Sequence, residues 1–359
     1  MTSPRPDAAQ RTPPGSSAQQ GRTAPPGLDL TALGPWFAEN VSGAMASAEL
    51  SASLIPGGRS NLTYTVTDGT ASWILRRPPL GHVLATAHDM AREYRVITAL
   101  APTPVPVPAT FGLCSDDSVI GAPFYVMELV EGTPYRRAGE LAALGPQRTR
   151  EIADGLLDTL VDLHAVDPAA VGLGDFGKVE GYLGRQVERW RRQLAASHSR
   201  DLPAANELQR RLAAAVPAES AAAIVHGDYR LDNVLVSEDR VTAVLDWEMA
   251  TLGDPLTDLA LMLVYHRLID LLDVAAVSDA PAAPGFPTEA EFITRYQERS
   301  GRDLSDFGFY LALACYKVAG ILEGIHYRYL AGKTVGTGFD QIGEAVVPML
   351  ELGLASLEE

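Results

Sequence analysis

From about Ala48 to Val130, apolar and polar positions alternate in short runs. "AELSASLI", "LTYTVT", "SWILRR", "PATFGLC" and "PFYVMELV" each predict a strand, because successive side chains on a pleated backbone point to opposite faces. The turn "DGTA" between the second and third predicts a hairpin. One segment departs from this period: in "ATAHDMAREYRVITAL", Met90, Tyr94 and Ile97 recur at helical spacing. After Gly145 the helical period takes over. "GPQRTREIADGLLDTLVDLHAVDP" places Pro146 in a first helical turn and stops before Pro168. Further helices are predicted near 178–198, 204–215, 255–272, 288–300, 305–331 and 339–357. Residues 223–246 are the exception, with two or three short strand-like runs. Strands first and helices afterwards predict an α+β protein of two lobes with a ligand cleft between them.

Composition narrows the picture. The chain of 359 residues allows two modest domains. Residues 1–28 are rich in Pro, Ser, Gln and Gly and are expected to be a disordered tail. The N-lobe is then expected over 29–130 and the C-lobe over 131–359. The net charge of −16 argues against a general nucleic-acid surface. Cys114 and Cys315 are the only cysteines, so neither a disulfide framework nor a metal spacing is visible and a reducing, cytoplasmic location is expected. No membrane span is expected: the longest apolar run, Phe307 to Leu322, is interrupted by Lys317 and is short for a bilayer.

The candidate chemistry lies in "HGDYRLDNVLV" (226–236) and "VLDWEMATLGDP", which follows it. Asp228, Asn233 and Asp246 sit beside apolar runs at intervals that suit either a cation-phosphate site or an Asx-rich polar turn. His226-x-Asp228-x-x-x-x-Asn233, followed by a strand ending in Asp246, resembles the catalytic pattern of kinase folds. The HGD form is similar to the aminoglycoside phosphotransferase and choline kinase family, small-molecule kinases of protein-kinase-like fold. "ILRRPP", "REYRVITAL", "LDWEMATLGDPLTDLA" and "YKVAGILEGIHYRYLAGKT" together resemble the kinase-like domains associated with acyl-CoA dehydrogenases. The resemblance covers roughly residues 30–355.

The resemblance implies ATP and Mg2+ as cofactors, with a nucleotide and a small-molecule acceptor as partners. Asp228 would take or orient the proton of a hydroxyl, and Asn233 and Asp246 would hold magnesium. His226 and Asp258 would support the catalytic loop. Glu248 could help a second metal or simply face solvent, and Asp232 reads as a structural or surface residue. Gly57, Gly58 and Ser60 of "PGGRSN" would cover the phosphates, although a Gly-Gly pair also makes an ordinary hairpin turn. Backbone groups of Glu128 and Val130 would meet the adenine edge. Residues 1–177 contain no lysine, so the phosphate cation must be an arginine. Strand phase separates Ile74 and Arg76 from Trp73, Leu75 and Arg77, and the family pattern selects Arg76, with Glu93 as its ion-pair partner. Only eleven residues separate Asp246 from Asp258, too few for a long activation loop, which argues against a protein kinase.

The helix over 306–332 carries the acceptor expectation. At 100° per residue Lys317 and Arg328 lie about 20° apart around the helix, with Gly320 and Gly324 near the same stripe. They read as an anion groove or as helix packing through small residues. The groove reading and the acyl-CoA-dehydrogenase resemblance point to a hydroxyacyl-CoA or hydroxyacid phosphorylated on its hydroxyl, with a functional association to such dehydrogenases. The alternatives are an aminoglycoside O-phosphotransferase and, from another class, a nucleotide-binding regulatory module without turnover.

Overall fold

Five antiparallel strands in the order β1-β2-β3-β5-β4 make the sheet of the first lobe. The computed structural model describes residues 25–45, 48–56, 61–81, 89–197, 199–218, 222–272, 277–334 and 338–358. Gly57, Gly58, Ser60 and residues 1–24 therefore lie outside the described residues. The elements of this lobe are α1 (Leu30–Asn40), β1 (Ser51–Leu54), β2 (Leu62–Thr67), β3 (Ser72–Arg77), α2 (Met90–Leu100), β4 (Thr110–Cys114) and β5 (Phe124–Glu128). The hairpin falls where the alternation predicts it, with Thr67 opposite Ser72.

Helix α1 is absent from the sequence expectation. Gly34 and Pro35 lie inside it, but Asp29 caps it through the N–H groups of Thr31 and Ala32, and Leu33 and Phe37, one turn apart, are buried against the sheet. The expected tail boundary also moves. Leu28 is buried in the same core, and the Tyr64 hydroxyl donates to the Pro26 carbonyl at 2.6 Å. Residues 25–28 thus belong to the lobe, because Pro and Gly backbone carbonyls serve as acceptors for side chains far along the chain.

The second lobe contains α3 (Ala138–Ala142), α4 (Pro146–Ala165), α5 (Tyr182–Ser197), α6 (Pro203–Ala214), β6 (Ala223–Val225), β7 (Val234–Ser237), β8 (Arg240–Val244), β9 (Thr251–Gly253), α7 (Leu256–Leu268), α8 (Glu289–Ser300), α9 (Phe307–Leu330) and α10 (Val346–Ser356). The two-stranded ladders β6-β9 and β7-β8 hold the loops that carry the conspicuous polar residues. The face of the first sheet turned away from α1 contributes Ile74, Tyr125 and Met127 to a core continuous with α2, α4 and α7. The cleft between the lobes therefore has a rigid apolar back.

Helix α9 is the central element of the second lobe. It is 24 residues long, and by length and composition alone it could cross a membrane, which corrects the expectation that this run is too short. Its apolar window is 78% buried inside the protein, against α5, α7 and α10. Its half-buried Lys317 and buried Glu323 have internal partners: the Lys317 ammonium donates to the Gly227 carbonyl at 2.6 Å, and Glu323 accepts from the Ser199 N–H at 2.9 Å and pairs with Arg200 at 3.0 Å. Buried charges need such partners.

Candidate active site

β6 ends at Val225 and delivers "HGD" to the cleft. His226 is fully buried; one ring nitrogen, Nε2, lies 2.9 Å from the Leu245 carbonyl, and Nδ1 accepts from the Asp228 N–H at 3.2 Å. With Nδ1 accepting, Nε2 is the nitrogen that donates to the Leu245 carbonyl, so both ring nitrogens are engaged within the protein. Gly227 has φ +84°, and a Cβ there would stand 2.8 Å from the Cβ of Met249, so backbone conformation and space both demand glycine. Asp258, at the start of α7, accepts from the N–H groups of His226 and Gly227 at 2.6 and 2.8 Å. Burial pushes its carboxyl up, but the hydrogen bonds it accepts from His164 and the Gly227 N–H outweigh that and hold it below its ordinary value.

Asn233 donates to the backbone carbonyl and to Oδ2 of Asp228, at 2.8 and 2.9 Å. Its two amide hydrogens are thereby engaged, which leaves the carbonyl Oδ1 as the atom that could meet a cation. The Asn233 carbonyl in turn accepts from Leu245 N–H at 2.8 Å, next to Asp246. Asp246 has left-handed backbone angles, φ 65° and ψ 60°. A non-glycine residue in that region is strained by about 1–3 kcal/mol, and such residues gather at ligand sites.

Arg76 crosses the cleft. Its Nη2 contacts Asp246 Oδ1, and its Nε lies 2.9 Å from Glu93 Oε2, an ion-pair approach outside hydrogen-bond alignment. Burial opposes its charge, but Glu93, Tyr125 and Asp246 outweigh it and raise its pKa. Glu93 is buried; it also accepts from Asn61 at 2.9 Å and from the Tyr125 hydroxyl at 3.0 Å. Arg77 points to the other face and donates to the carbonyls of Gly27, Ile120 and Pro78.

These contacts give the two arginines different expected phenotypes. Arg76→Ala should weaken Mg-ATP binding by about 10- to 100-fold, the scale of a lost charged hydrogen bond. Arg77→Ala should instead lower stability by about 1–3 kcal/mol and leave the folded protein's nucleotide affinity unchanged. Calorimetry beside thermal melts separates the two, and equal losses of affinity at both positions would contradict the strand phase.

Above Asp246 an apolar slot of about 340 Å³ is lined by Ile74, Tyr125, Met127, Leu235, Val244 and the Glu128–Val130 segment. Its size and walls suit a planar heterocycle. The Glu128 N–H is committed to the Ala109 carbonyl at 2.8 Å, so this position offers a ligand no N–H donor.

Sequence reading missed several residues here. Arg230 is 3.5 Å from Asp228 and 3.1 Å from Asp232, and its guanidinium lies over the Tyr265 ring at 4.9 Å. Burial opposes its charge too, but Asp228 and Asp232 prevail and raise its pKa. Asn61, besides Glu93, reaches Glu248 at 3.3 Å, so Glu248 turns inward. Tyr125 and Met127, two apart on β5, could have been found from strand phase alone. Conversely, Lys317 and Arg328 do not meet. Lys317 reaches the catalytic loop, whereas Arg328 is exposed near the far end of α9. The groove expected between them is filled by α5: positions for a Cβ at Gly320 and Gly324 lie 3.6 Å from Trp190 and 3.5 Å from Ser197.

Oxygen donors few in number, one carboxylate and one amide carbonyl, suit magnesium when nucleotide phosphates and water complete its shell. The donor set therefore fits the ion.

A small β-rich lobe over a helical one, with this polar loop between them, defines a protein-kinase-like fold and a phosphoryl-transfer site. The chain belongs to the phosphotransferase enzyme family (APH), whose profile matches residues 51–292. It is an enzyme of the small-molecule kinase class, acting on hydroxyl groups. Among curated relatives it is 36% identical over 328 residues to acyl-CoA dehydrogenase family member 11 of Gallus gallus, covering 89% of this chain but only 41% of that protein. The chain thus spans less than half of that relative. A solved protein of Ralstonia eutropha, named provisionally as an aminoglycoside phosphotransferase, is 36% identical with a TM-score of 0.79, over 92% of this chain and 98% of its own. The fold is shared with a thermostable mutant of aminoglycoside phosphotransferase APH(4)-Ia in complex with AMP-PNP and hygromycin B, at 16% identity, a TM-score of 0.56 and coverage of 91% and 98%.

Proposed function

We propose that the chain transfers the γ-phosphoryl group of ATP to the hydroxyl of a small anionic acceptor, a hydroxyacid or its coenzyme A thioester. The observation that carries this is the convergence of Asp228, Asn233, Asp246, Arg76 and Glu93 on one cleft beside an apolar slot. The heterocycle occupies the slot, and Arg76, oriented by Glu93, meets the phosphates. Asn233 and Asp246 would hold magnesium, which would neutralise phosphate charge. Asp228 receives the acceptor's proton as its oxygen bonds to the γ-phosphorus and the bond to the bridging oxygen of ADP breaks. Asn233 keeps the Asp228 carboxylate turned toward that proton. The relatives' dehydrogenase names favour an anionic acceptor over a polycationic one, and favour a functional association with acyl-CoA dehydrogenases.

ADP release from Mg-ATP, measured over a panel of hydroxyacids, their thioesters and aminoglycosides, tests the reading. Turnover is expected with the acids or thioesters and not with kanamycin. A higher kcat/KM for kanamycin than for every acid and thioester would overturn it.

A further inference from the structure

Next to the catalytic loop lies a cavity of about 320 Å³ whose wall inverts the charge of the protein. The chain has 29 Lys and Arg against 45 Asp and Glu, yet this cavity is lined by Arg92, Lys178, Arg185 and Arg189 against only Asp89 and Glu248. On other surfaces arginines are paired with carboxylates: Arg191 and Arg192 share Glu188, and Arg210 and Arg211 share Glu207. In the cavity the anchors are different. Arg92 donates to the carbonyls of Phe176 and Ala250 and lies 3.8 Å over the Phe176 ring, and Arg185 donates to the carbonyls of Lys178 and Glu180. Carbonyl oxygens orient a guanidinium without cancelling its charge. Among the described residues no ion pair joins Lys178 or Arg189 to a carboxylate, and both are exposed.

The cavity borders the loop that carries Asp228. Tyr182 and Gln186 line it and also line the adjoining small cavity that contains Gly227 and Lys317. Met249, on its wall, packs against Gly227. None of its lining residues belongs to the apolar slot. The protein has three lysines, and two of them, Lys178 and Lys317, line these adjoining cavities.

We propose that the basic cavity seats an oxyanion of the acceptor, a phosphate or carboxylate remote from the hydroxyl that is phosphorylated. This rests on the phosphotransferase reading above and replaces the anion groove expected along α9. Arg92 and Arg185 form the fixed part of the seat, and Lys178 and Arg189 close on the anion as it arrives. Selectivity then follows from charge at one end of the acceptor, with the hydroxyl delivered to Asp228 at the other.

The test uses the full chain with the nucleotide site filled by Mg-AMP-PNP. Coenzyme A, 3-hydroxybutyrate and methyl 3-hydroxybutyrate serve as phosphate, carboxylate and neutral probes in calorimetric titrations. At least one anionic probe should bind about tenfold or more tightly than the ester, and which one does so identifies the source of the oxyanion. Lys178→Glu with Arg189→Glu should weaken that probe by about 10- to 100-fold, two charged contacts at a partly exposed site. Arg191→Glu with Arg210→Glu, an equal change of net charge elsewhere, should leave it unaltered. Equal binding of acid, thiol cofactor and ester, or equal losses in both double variants, would overturn the proposal. So would a loss of Mg-ATP affinity in the Lys178/Arg189 variant, which would assign the cavity to the nucleotide. If no hydroxyacid, thioester or aminoglycoside draws ADP release from Mg-ATP, the phosphotransferase reading itself fails, an outcome separate from all of these.

Discussion

Asp228→Asn is expected to slow phosphoryl transfer by about 10²–10⁴-fold while leaving Mg-ATP affinity and the melting temperature near those of the parent. The side chain is isosteric, and its amide oxygen can still accept from Asn233, which now donates to Oδ2 at 2.9 Å. Arg230 keeps Asp232 as a partner at 3.1 Å, so the variant does not strand a buried guanidinium. What disappears is the basic oxygen that takes the hydroxyl proton. Single-turnover kinetics with a saturating acceptor isolate this step from binding. Turnover within a few-fold of the parent would remove Asp228 from the role of base.

Asp246→Asn should have the larger effect on binding. Asparagine tolerates left-handed backbone angles, so the φ of 65° survives the change, which an alanine would strain. The charge that draws cations does not survive. Magnesium-dependent ATP affinity should fall at least about 100-fold, equivalent to about 2.7 kcal/mol. Metal-free ATP should bind as well as before or better, because Arg76 is no longer engaged by Asp246 and can turn to the phosphates. Calorimetry with and without magnesium reads both halves. Parental affinity in the presence of magnesium would place the ion elsewhere.

The parts of this site that were legible in the sequence depend on local rules. Alternation along "SWILRR" put Arg76 in the cleft and Arg77 out of it, because side-chain direction in a strand follows from position alone. His226 follows β6, Asn233 stands just before β7 and Asp246 just after β8, with a brief turn joining β7 to β8, so their geometry is also local. What escaped was set by distant partners. The stripe of Lys317, Gly320, Gly324 and Arg328 reads the same whether a groove is open or filled, and Trp190 and Ser197, more than a hundred residues earlier, decide the matter. The basic cavity draws Arg92 from one lobe and Lys178, Arg185 and Arg189 from the other, so no single window of sequence displays it. Residues 25–28 have the composition of a tail, and only Tyr64 and Arg77 reveal that they are docked.

The Lys317 contact also bears on where this enzyme can be cut. The family profile ends at residue 292, and a fragment trimmed to that boundary would contain every residue of the "HGDYRLDN" loop. It would nevertheless lack α9, and with it the ammonium that holds the Gly227 carbonyl from behind and the apolar wall on which α5 and α7 rest. The unit that can be excised as a working catalyst is therefore longer than the stretch that advertises the family, and its carboxy-terminal helices are part of the machine.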